Sequence, residues 1–363
     1  MSNSDLNVLV LAGDGIGPEV TTEALKVLEL VCKHSGIALS TEHGDFGGAS
    51  IDKHGEPITK DVLDRSRKAS AVLLGACGGP KWDNLPTSQR PEKGLLALRE
   101  HMEVFANLRP ARLFAALAEA SPLKADRANN FEFVVVRELV GGLYFGKPRF
   151  IEGEKGKRRG VNTMTYTEDE IRRIGRVAFE TARKRRKKLT SVDKANVLEL
   201  MGLWREVMIE LGREYPDVKL DHLYVDNAAM QIILRPSEFD VLVTENMFGD
   251  ILSDLAAAAT GSIGLLPSAA LGEKFALYEP IHGSAPDIAG QGKANPLAAI
   301  LTIGMLLEHT AQRSDLAQVV SESVEAVLNK GLRTGDIAKI GEPVVGTVAM
   351  GEAVVAELAK KLG

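Results

Sequence analysis

The chain has 363 residues, 45% of them hydrophobic and 26% charged, enough to bury an ample core and to fold as two lobes rather than one. Its net charge of −5 argues against a general nucleic-acid or membrane-surface protein, and no apolar run approaches the ~20 residues that span a bilayer. The opening MSNSDLNVLVLAGDG lacks the basic start and cleavage site of a signal peptide, which makes a cytoplasmic location the default expectation.

The first strand is expected at NVLVL (7–11), a short continuous apolar run of the kind buried parallel strands show. GDGIGP (13–18) follows it, but a dinucleotide fingerprint needs G-x-G-x-x-G and Pro18 stands in the last position, so a Rossmann motif is absent. The glycines there predict a tight strand-to-helix turn. A helix is expected after Pro18, with Val20, Ala24, Val27, Leu28 and Val31 on one face and Gly36 beyond its end. Cys32 and Cys77 have apolar neighbours and no metal-type spacing, and read as small core residues in a reducing compartment.

Further strands are predicted at AVLLGA (71–76), FVVV (133–136) and DVLVT (240–244), with amphipathic helices between them, so the class is α/β. Residues 146–166, GKPRFIEGEKGKRRGVNTMTY, break the pattern, and their second half reads as a hairpin arm that needs another surface to rest on. The capping box from Thr167 to Glu170 opens a helix, and the basic run Arg183–Lys188 falls at its C-terminal end, where cations complement the helix dipole. A solvated helix end explains that run better than a nucleic-acid patch. The last 70 residues are mostly helical in pattern, including 296–309 and 316–331.

Neither a Walker A lysine-serine motif nor His-Glu-x-x-His appears. The polar residues at element ends are more informative. Arg99 and Arg109 lie in GLLALREHMEVFANLRP, and Arg137 closes an apolar strand in VVVRELVGGLYFG, beside Tyr144. Arginine suits bidentate capture of carboxylates, although each alone is more often a surface ion-pair partner. Asp193 and Lys194 follow a strand at the expected start of a helix, and Asp226 stands at another strand end. Open α/β sheets place ligands at such ends, so the set suggests a divalent cation and a small polyanionic acid.

In NMFGDILSD, Asp250 and Asp254 stand one helical turn apart among apolar neighbours. On an exposed helix their repulsion costs only about 0.2–0.5 kcal/mol; partly buried, they call for a compensating cation. Both readings stand on this segment alone.

The segments LAGDGIGPEV, GGPKW, RPEKGLLALR, NLRP, VVRELVGGLYFG, SVDKANVL, DNAAMQ, NMFGDILSD, TGSIGLLPSA and YEPIHGSAPDIAGQGKANP run in order over nearly the whole chain. Together they resemble the 3-isopropylmalate dehydrogenases, within the wider family of metal-dependent β-decarboxylating dehydrogenases that also act on isocitrate, homoisocitrate or tartrate. The resemblance implies a two-lobed α/β fold of that family's own type rather than a Rossmann fold. It places residues 1–104 and 258–363 in an NAD-binding domain and 105–257 in a dimerisation domain, with the arm at about 146–166 and the active site in the inter-domain cleft. It also implies a homodimer with shared sites.

By that resemblance Asp250 and Asp254 of one subunit and Asp226 of the other would hold Mg2+ or Mn2+, which would supply Lewis acidity. Arg99, Arg109 and Arg137 would bind the two substrate carboxylates, Lys194 from the partner would help remove the hydroxyl proton, and Tyr144 would help return a proton to carbon. The loop His282, Gly283, Ser284, Ala285, Pro286, Asp287 and Ile288, with Asn295, would hold the adenosine of NAD. A carboxylate at Asp287 suits a free 2′-hydroxyl and repels the 2′-phosphate of NADP. Glu92, Leu95 and Leu96, completed by Val197, would receive the substrate's alkyl group, although the two leucines alone read equally as core residues. The implied reaction is oxidation of (2R,3S)-3-isopropylmalate to 4-methyl-2-oxopentanoate and CO2, a step of leucine biosynthesis. The rivals are the related acids, a metal-dependent phosphatase using the same aspartates, which no aspartyl-phosphate motif supports, and a silent scaffold.

Overall fold

The computed structural model describes residues 5–128 and 131–363. Along the chain run β1 (Leu6–Gly13), α1 (Gly17–Ser35), β2 (Leu39–His43), α2 (Gly48–His54), α3 (Lys60–Ser66), β3 (Ala71–Ala76), α4 (Pro91–His101), β4 (Ala106–Arg112) and β5 (Glu132–Glu138). The short strands β6 (Phe150–Glu152) and β7 (Arg159–Val161) precede α5 (Glu168–Arg183), β8 (Lys188–Asp193), α6 (Glu199–Gly212), β9 (Lys219–Tyr224), α7 (Val225–Leu234), β10 (Val241–Thr244) and α8 (Asn246–Thr260). The chain ends with β11 (Pro267–Leu271), β12 (Ala276–Pro280), α9 (Leu297–His309), α10 (Ser314–Asn329) and α11 (Thr347–Leu362).

Two compact units divide these elements. One comprises Met1–Val104, Arg112–Asn130 and Ala257–Gly363; the other comprises Phe105–Ala111 and Phe131–Ala256. Residues 112–128 thus belong with the first unit, where the family resemblance had put them with the middle of the chain.

In the first unit the strand order is β2-β1-β3-β12-β11, parallel except for the β11–β12 pair. Every residue of β3 is buried, as a parallel strand covered on both faces requires. Helix α1 has Pro18 in its first turn, Lys33 and His34 in its last, and Gly36 at φ 70° closing it, a left-handed conformation that favours glycine. It packs with α9 and α11. At the end of β1, buried Asp14 accepts hydrogen bonds from the backbone N–H groups of Gly48, Ala49 and Gly78, each at 2.8 Å.

In the second unit the order is β4-β5-β10-β8-β9, with β5, β10, β8 and β9 successively parallel. Helix α5 opens with the expected capping box, Thr167 and Glu170 each accepting the other's backbone N–H. At its end the basic run is exposed at Lys184, Arg186 and Lys187, as a solvated helix end should be, and is also ion-paired: Arg183 meets Asp217, and Arg185 meets both Glu132 and the buried Asp240. Asp240 also accepts from the backbone N–H groups of Arg186 and Lys188. These partners hold the Arg183 and Arg185 side chains to the protein's own carboxylates. The β6–β7 hairpin pairs Phe150 with Val161 and forms a sheet of its own. Its Ile151 side chain is 75% exposed.

Candidate active site

The middle unit gathers most of the polar residues. Arg137 is the last but one residue of β5, and its register partner on β10 is Thr244, which places α8 just beyond the same strand ends. Glu245 accepts from the backbone N–H groups of Met247 and Phe248, satisfying donors that a helix start leaves open. From α8, Asn246 reaches back to Arg137: its Oδ1 accepts from Nε at 3.0 Å and Nη2 at 2.7 Å, while its Nδ2 donates to Leu139 O and Gly141 O. Gly249 is needed here for space, because a Cβ would lie 2.7 Å from Arg137 Cγ.

Asp250 is the focus of charge. Arg137 Nη1 donates to its Oδ1, Arg109 Nη1 lies 3.4 Å from the same oxygen, and Tyr144 Oη donates to Oδ2 at 2.9 Å. Burial would raise this carboxyl, but Arg137, Arg109 and Tyr144 together hold it below the ordinary aspartate value. Asp254 is 4.0 Å from Arg109; burial raises it, and Asp250 one turn away adds to that against the arginine. The Tyr144 hydroxyl is pushed up to about 12, first by burial and then by Asp250, so it remains protonated at neutral pH.

Arg109 is aimed from its own strand. Asn107, two residues earlier on β4 and so on the same face, accepts from Arg109 Nε at 2.6 Å. Ser253 Oγ accepts from Nη1 at 2.7 Å.

Lys194 and Asp226 form a separate pair at 2.9 Å, which lowers the Asp226 carboxyl. Lys194 does not open a helix as expected. Asp193 accepts from Ala195 N, Val197 N and Leu198 N donate to Lys194 O, and α6 begins only at Glu199. This local bonding competes with helix formation. Asp193 itself is wholly buried and bound by Arg205 through two nitrogens, a structural ion pair. Val197 is 67% exposed.

Among the described residues no three acidic, histidine or cysteine side chains form a metal-type cluster. Asp250 and Asp254 are nevertheless a carboxylate pair of the hard-oxygen type that Mg2+ or Mn2+ prefers, with a neighbouring hydroxyl and two guanidiniums. The donor set fits a divalent cation but is incomplete in one chain.

In the other unit, Glu92, Leu95, Leu96 and Arg99 recur at helical spacing on α4. The core face of this helix is Gly94 and Leu98; Leu95 and Leu96 are half-buried and Glu92 is exposed, so neither leucine is a core residue. Arg99 is buried and paired with Glu279 at 2.6 Å.

The loop from His282 to Ile288 follows β12. Ser284 O accepts from Ile16 N, joining this loop to the turn after β1, and Gly15 has no room for a Cβ against Ser284. Ala285 has φ 38°, a strained conformation for a non-glycine residue, with Ile288 N donating to its carbonyl. His282 Nδ1 is paired with Gly283 O, whereas Nε2 is buried with no partner. Burial lowers the His282 pKa, keeping the ring neutral. Gly283, Pro286 and Asp287 are exposed, and buried Asn295 is held by Asp336 at 3.0 Å. An orphaned ring nitrogen and an exposed carboxylate on one loop fit a nucleoside that brings its own hydrogen-bonding edges. Sequence reading assigns no role to Asn107, Asn246, Gly249, Glu279 or Asp336, although the first four lie within the segments NLRP, NMFGDILSD and YEPIHGSAPDIAGQGKANP; the local signal is membership of those segments and, for Asn107, its two-residue spacing from Arg109.

Comparison with known proteins agrees with this geometry. The family model for isocitrate/isopropylmalate dehydrogenase matches residues 7–354. The chain is 58% identical over 351 residues to a 3-isopropylmalate dehydrogenase of Chromohalobacter salexigens, covering 96% of this chain and 98% of the relative. It is 55% identical to the enzyme of that name from Methylococcus capsulatus, covering 97% and 99%. Among solved structures, an isocitrate dehydrogenase from M. capsulatus matches with a TM-score of 0.86 and 35% identity, covering 97% of this chain and 99% of that one. A β-decarboxylating dehydrogenase from Thermococcus kodakarensis matches with a TM-score of 0.78 and 34% identity over 98% and 96%. The chain belongs to the isocitrate/isopropylmalate dehydrogenase family.

Proposed function

We propose that the chain catalyses the NAD-dependent oxidative decarboxylation of (2R,3S)-3-isopropylmalate to 4-methyl-2-oxopentanoate and CO2, a step of leucine biosynthesis. The observation that carries the substrate choice is the outward face of α4, where Leu95 and Leu96 stand half-exposed in line with Arg99 and offer an apolar wall. A third carboxylate, as in isocitrate, would be left against leucines, and unpaired buried charge is costly. The higher identity to relatives named 3-isopropylmalate dehydrogenase than to the isocitrate enzyme supports the same choice.

When bound, Mg2+ or Mn2+ supplies Lewis acidity at the C2 hydroxyl, and NAD+ accepts the hydride. Asp250, Asp254 and Asp226 of a second copy are the proposed ligands. Arg99, Arg109 and Arg137 take the two carboxylates. Lys194 receives the C2 hydroxyl proton, and Tyr144, protonated at neutral pH, gives one to the carbon that CO2 leaves. His282 and Asn295 face the adenine, and Asp287 takes the ribose hydroxyls, which favours NAD over NADP.

The second copy is supported by exposed apolar side chains on the middle unit: Met230 on α7 is 57% exposed and Ile251 on α8 is 59% exposed, with Ile209, Leu234, Val197 and the arm's Ile151 also open to solvent. A two-stranded hairpin is marginal without a surface to pack on. Lys194 and Asp226, paired to one another, are on this reading presented to the partner's Asp250 and Asp254 as a unit. None of the helices among the described residues is long and apolar enough to cross a membrane, and a cytoplasmic location goes with this reading.

The test is NADH formation from 3-isopropylmalate, isocitrate, homoisocitrate and tartrate, with NAD+ or NADP+ and with Mg2+ or a chelator. Highest kcat/KM for 3-isopropylmalate with NAD+, abolished by the chelator, is expected. A preference for isocitrate would sink the substrate assignment.

A further inference from the structure

We propose that Glu138 and Tyr166 are positioning residues for Tyr144: they lock the turn after β5 to the first turn of α8 and so hold the Tyr144 hydroxyl on Asp250. The inference rests on the reading that Tyr144 gives a proton to the carbon that CO2 leaves.

The turn at 139–142 is gripped through both kinds of backbone group. Glu138, fully buried, accepts from Val140 N at 3.2 Å and Gly141 N at 2.8 Å. Asn246 Nδ2 donates to the carbonyls of Leu139 and Gly141 at 3.1 and 3.0 Å. The Tyr166 hydroxyl links the two grips, hydrogen-bonded to Glu138 and accepting from the backbone N–H of Asn246 at 3.1 Å. Its ring, set edge-on to Trp204 with centroids 5.7 Å apart, leaves the turn no room for side chains. A Cβ at Gly141 would lie 2.5 Å from Tyr166 Cε1, and one at Gly142, where φ is 67°, 2.5 Å from its Oη.

Tyr144 closes the single 3-10 turn that begins at Gly142, and Asp250 lies one turn into α8 from Asn246. Both ends of the 2.9 Å Tyr144–Asp250 hydrogen bond are therefore built outward from the same buried group. Two further charges border it. Arg173, over the Phe105 ring, stands 3.9 Å from Glu138, and Glu245 accepts from the Met247 and Phe248 N–H groups of α8. For stability alone a buried carboxylate at position 138 is costly. What it supplies is acceptor capacity for the donors of the turn and of Tyr166 at once, which the single oxygen of an amide does not match.

The test is steady-state kinetics of the full chain with 3-isopropylmalate, NAD+ and Mg2+, with thermal melting alongside. The assay is run at about pH 8, above the value of about 7 to which burial raises Glu138, so that the wild-type group is ionised. Glu138→Gln, which replaces one acceptor oxygen by a donor, is expected to lower kcat about tenfold while KM for NAD+ stays within about twofold. On a Tyr144→Phe background the same change is expected to cost less than about twofold, because a group that acts through Tyr144 has nothing left to position. An equal loss in both backgrounds, or wild-type kcat in Glu138→Gln, overturns the inference and leaves Glu138 a structural acceptor. Should Glu138→Gln not fold, Tyr166→Phe, which keeps the ring against Trp204 and removes only the hydroxyl, is judged by the same cycle. Lowered kcat in Tyr144→Phe with wild-type kcat in Glu138→Gln refutes this inference alone, whereas wild-type kcat in Tyr144→Phe refutes the assignment of Tyr144 beneath it.

Discussion

Replacing Gly249 with alanine tests how closely Arg137 must be held. The new Cβ would fall 2.7 Å from Arg137 Cγ and 2.8 Å from its Cβ, the root of the side chain rather than its flexible end. Arg137 is 1% exposed, and its head is fixed by Asn246 and Asp250, so it cannot yield by swinging into solvent. Alanine in a helix interior gains about 1 kcal/mol over glycine, while overpacking a core costs about 1–3 kcal/mol. The net cost is about 0–2 kcal/mol, so the variant should remain folded, with Tm lowered by no more than a few degrees. Activity has no such compensation, since a displacement of about 1 Å in a positioning group can cost about a hundredfold. The assay is initial-rate NADH formation from 3-isopropylmalate at saturating NAD+ and Mg2+, with circular dichroism melting as the folding control. A folded Gly249→Ala enzyme with wild-type kcat/KM would refute the argument that Gly249 is there to make room for Arg137.

Three further outcomes are expected. Burial pushes the Glu138 carboxyl up to about 7, and a carboxyl raised in the folded state contributes stability at acid pH that is lost as pH rises through that value. The free energy of unfolding should therefore fall from about pH 5 to pH 8, by about 3 kcal/mol at most, with Tm falling alongside, and Glu138→Gln should flatten that fall; identical pH profiles in calorimetry would contradict it. Mixing an Asp226→Asn copy with an Asp250→Asn copy should restore about a quarter of wild-type activity, because half of randomly formed dimers carry one intact site. No recovery in verified heterodimers counts against sharing. Met230→Glu, which puts a charge on the exposed face of α7, should shift the protein towards monomer in sedimentation velocity and reduce activity with it; an unaltered dimer would remove α7 from the interface.

What the sequence made legible was local. Pro18 and Gly36 bracket α1, the Thr167 capping box opens α5, and continuous apolar runs mark β1, β3, β5 and β10, because each signal lies within a few residues of the structure it produces. The failures have a common physical origin. Lys194 was expected to open a helix, and a bond from Ala195 N to Asp193 delays that helix to Glu199. The basic run is exposed as expected, but its ion pairs go unseen in the sequence because Asp217 and Asp240 lie far along the chain. Arginines at strand ends could be suspected from sequence, but the groups that aim them could not: Asn246 meets Arg137 across 109 residues, and Glu279 meets Arg99 across 180. Motifs therefore showed which side chains carry charge, while the reasons those side chains point where they do depend on tertiary contacts.

The Asp14 carboxylate also determines where the chain can accept added length. By collecting N–H groups from Gly48, Ala49 and Gly78 it ties the start of α2, and with it the loop that leads there, and the loop after β3 to one point. An insertion in either loop would draw donors away and leave a buried anion short of partners, at about 1–3 kcal/mol for each bond lost. The tip of the β6–β7 hairpin is the opposite case. Gly156 has no neighbour within 4 Å of its would-be Cβ, and residues 153–158 are exposed. A peptide tag or reporter loop belongs there, where extra residues extend into solvent without disturbing the backbone around Asp14.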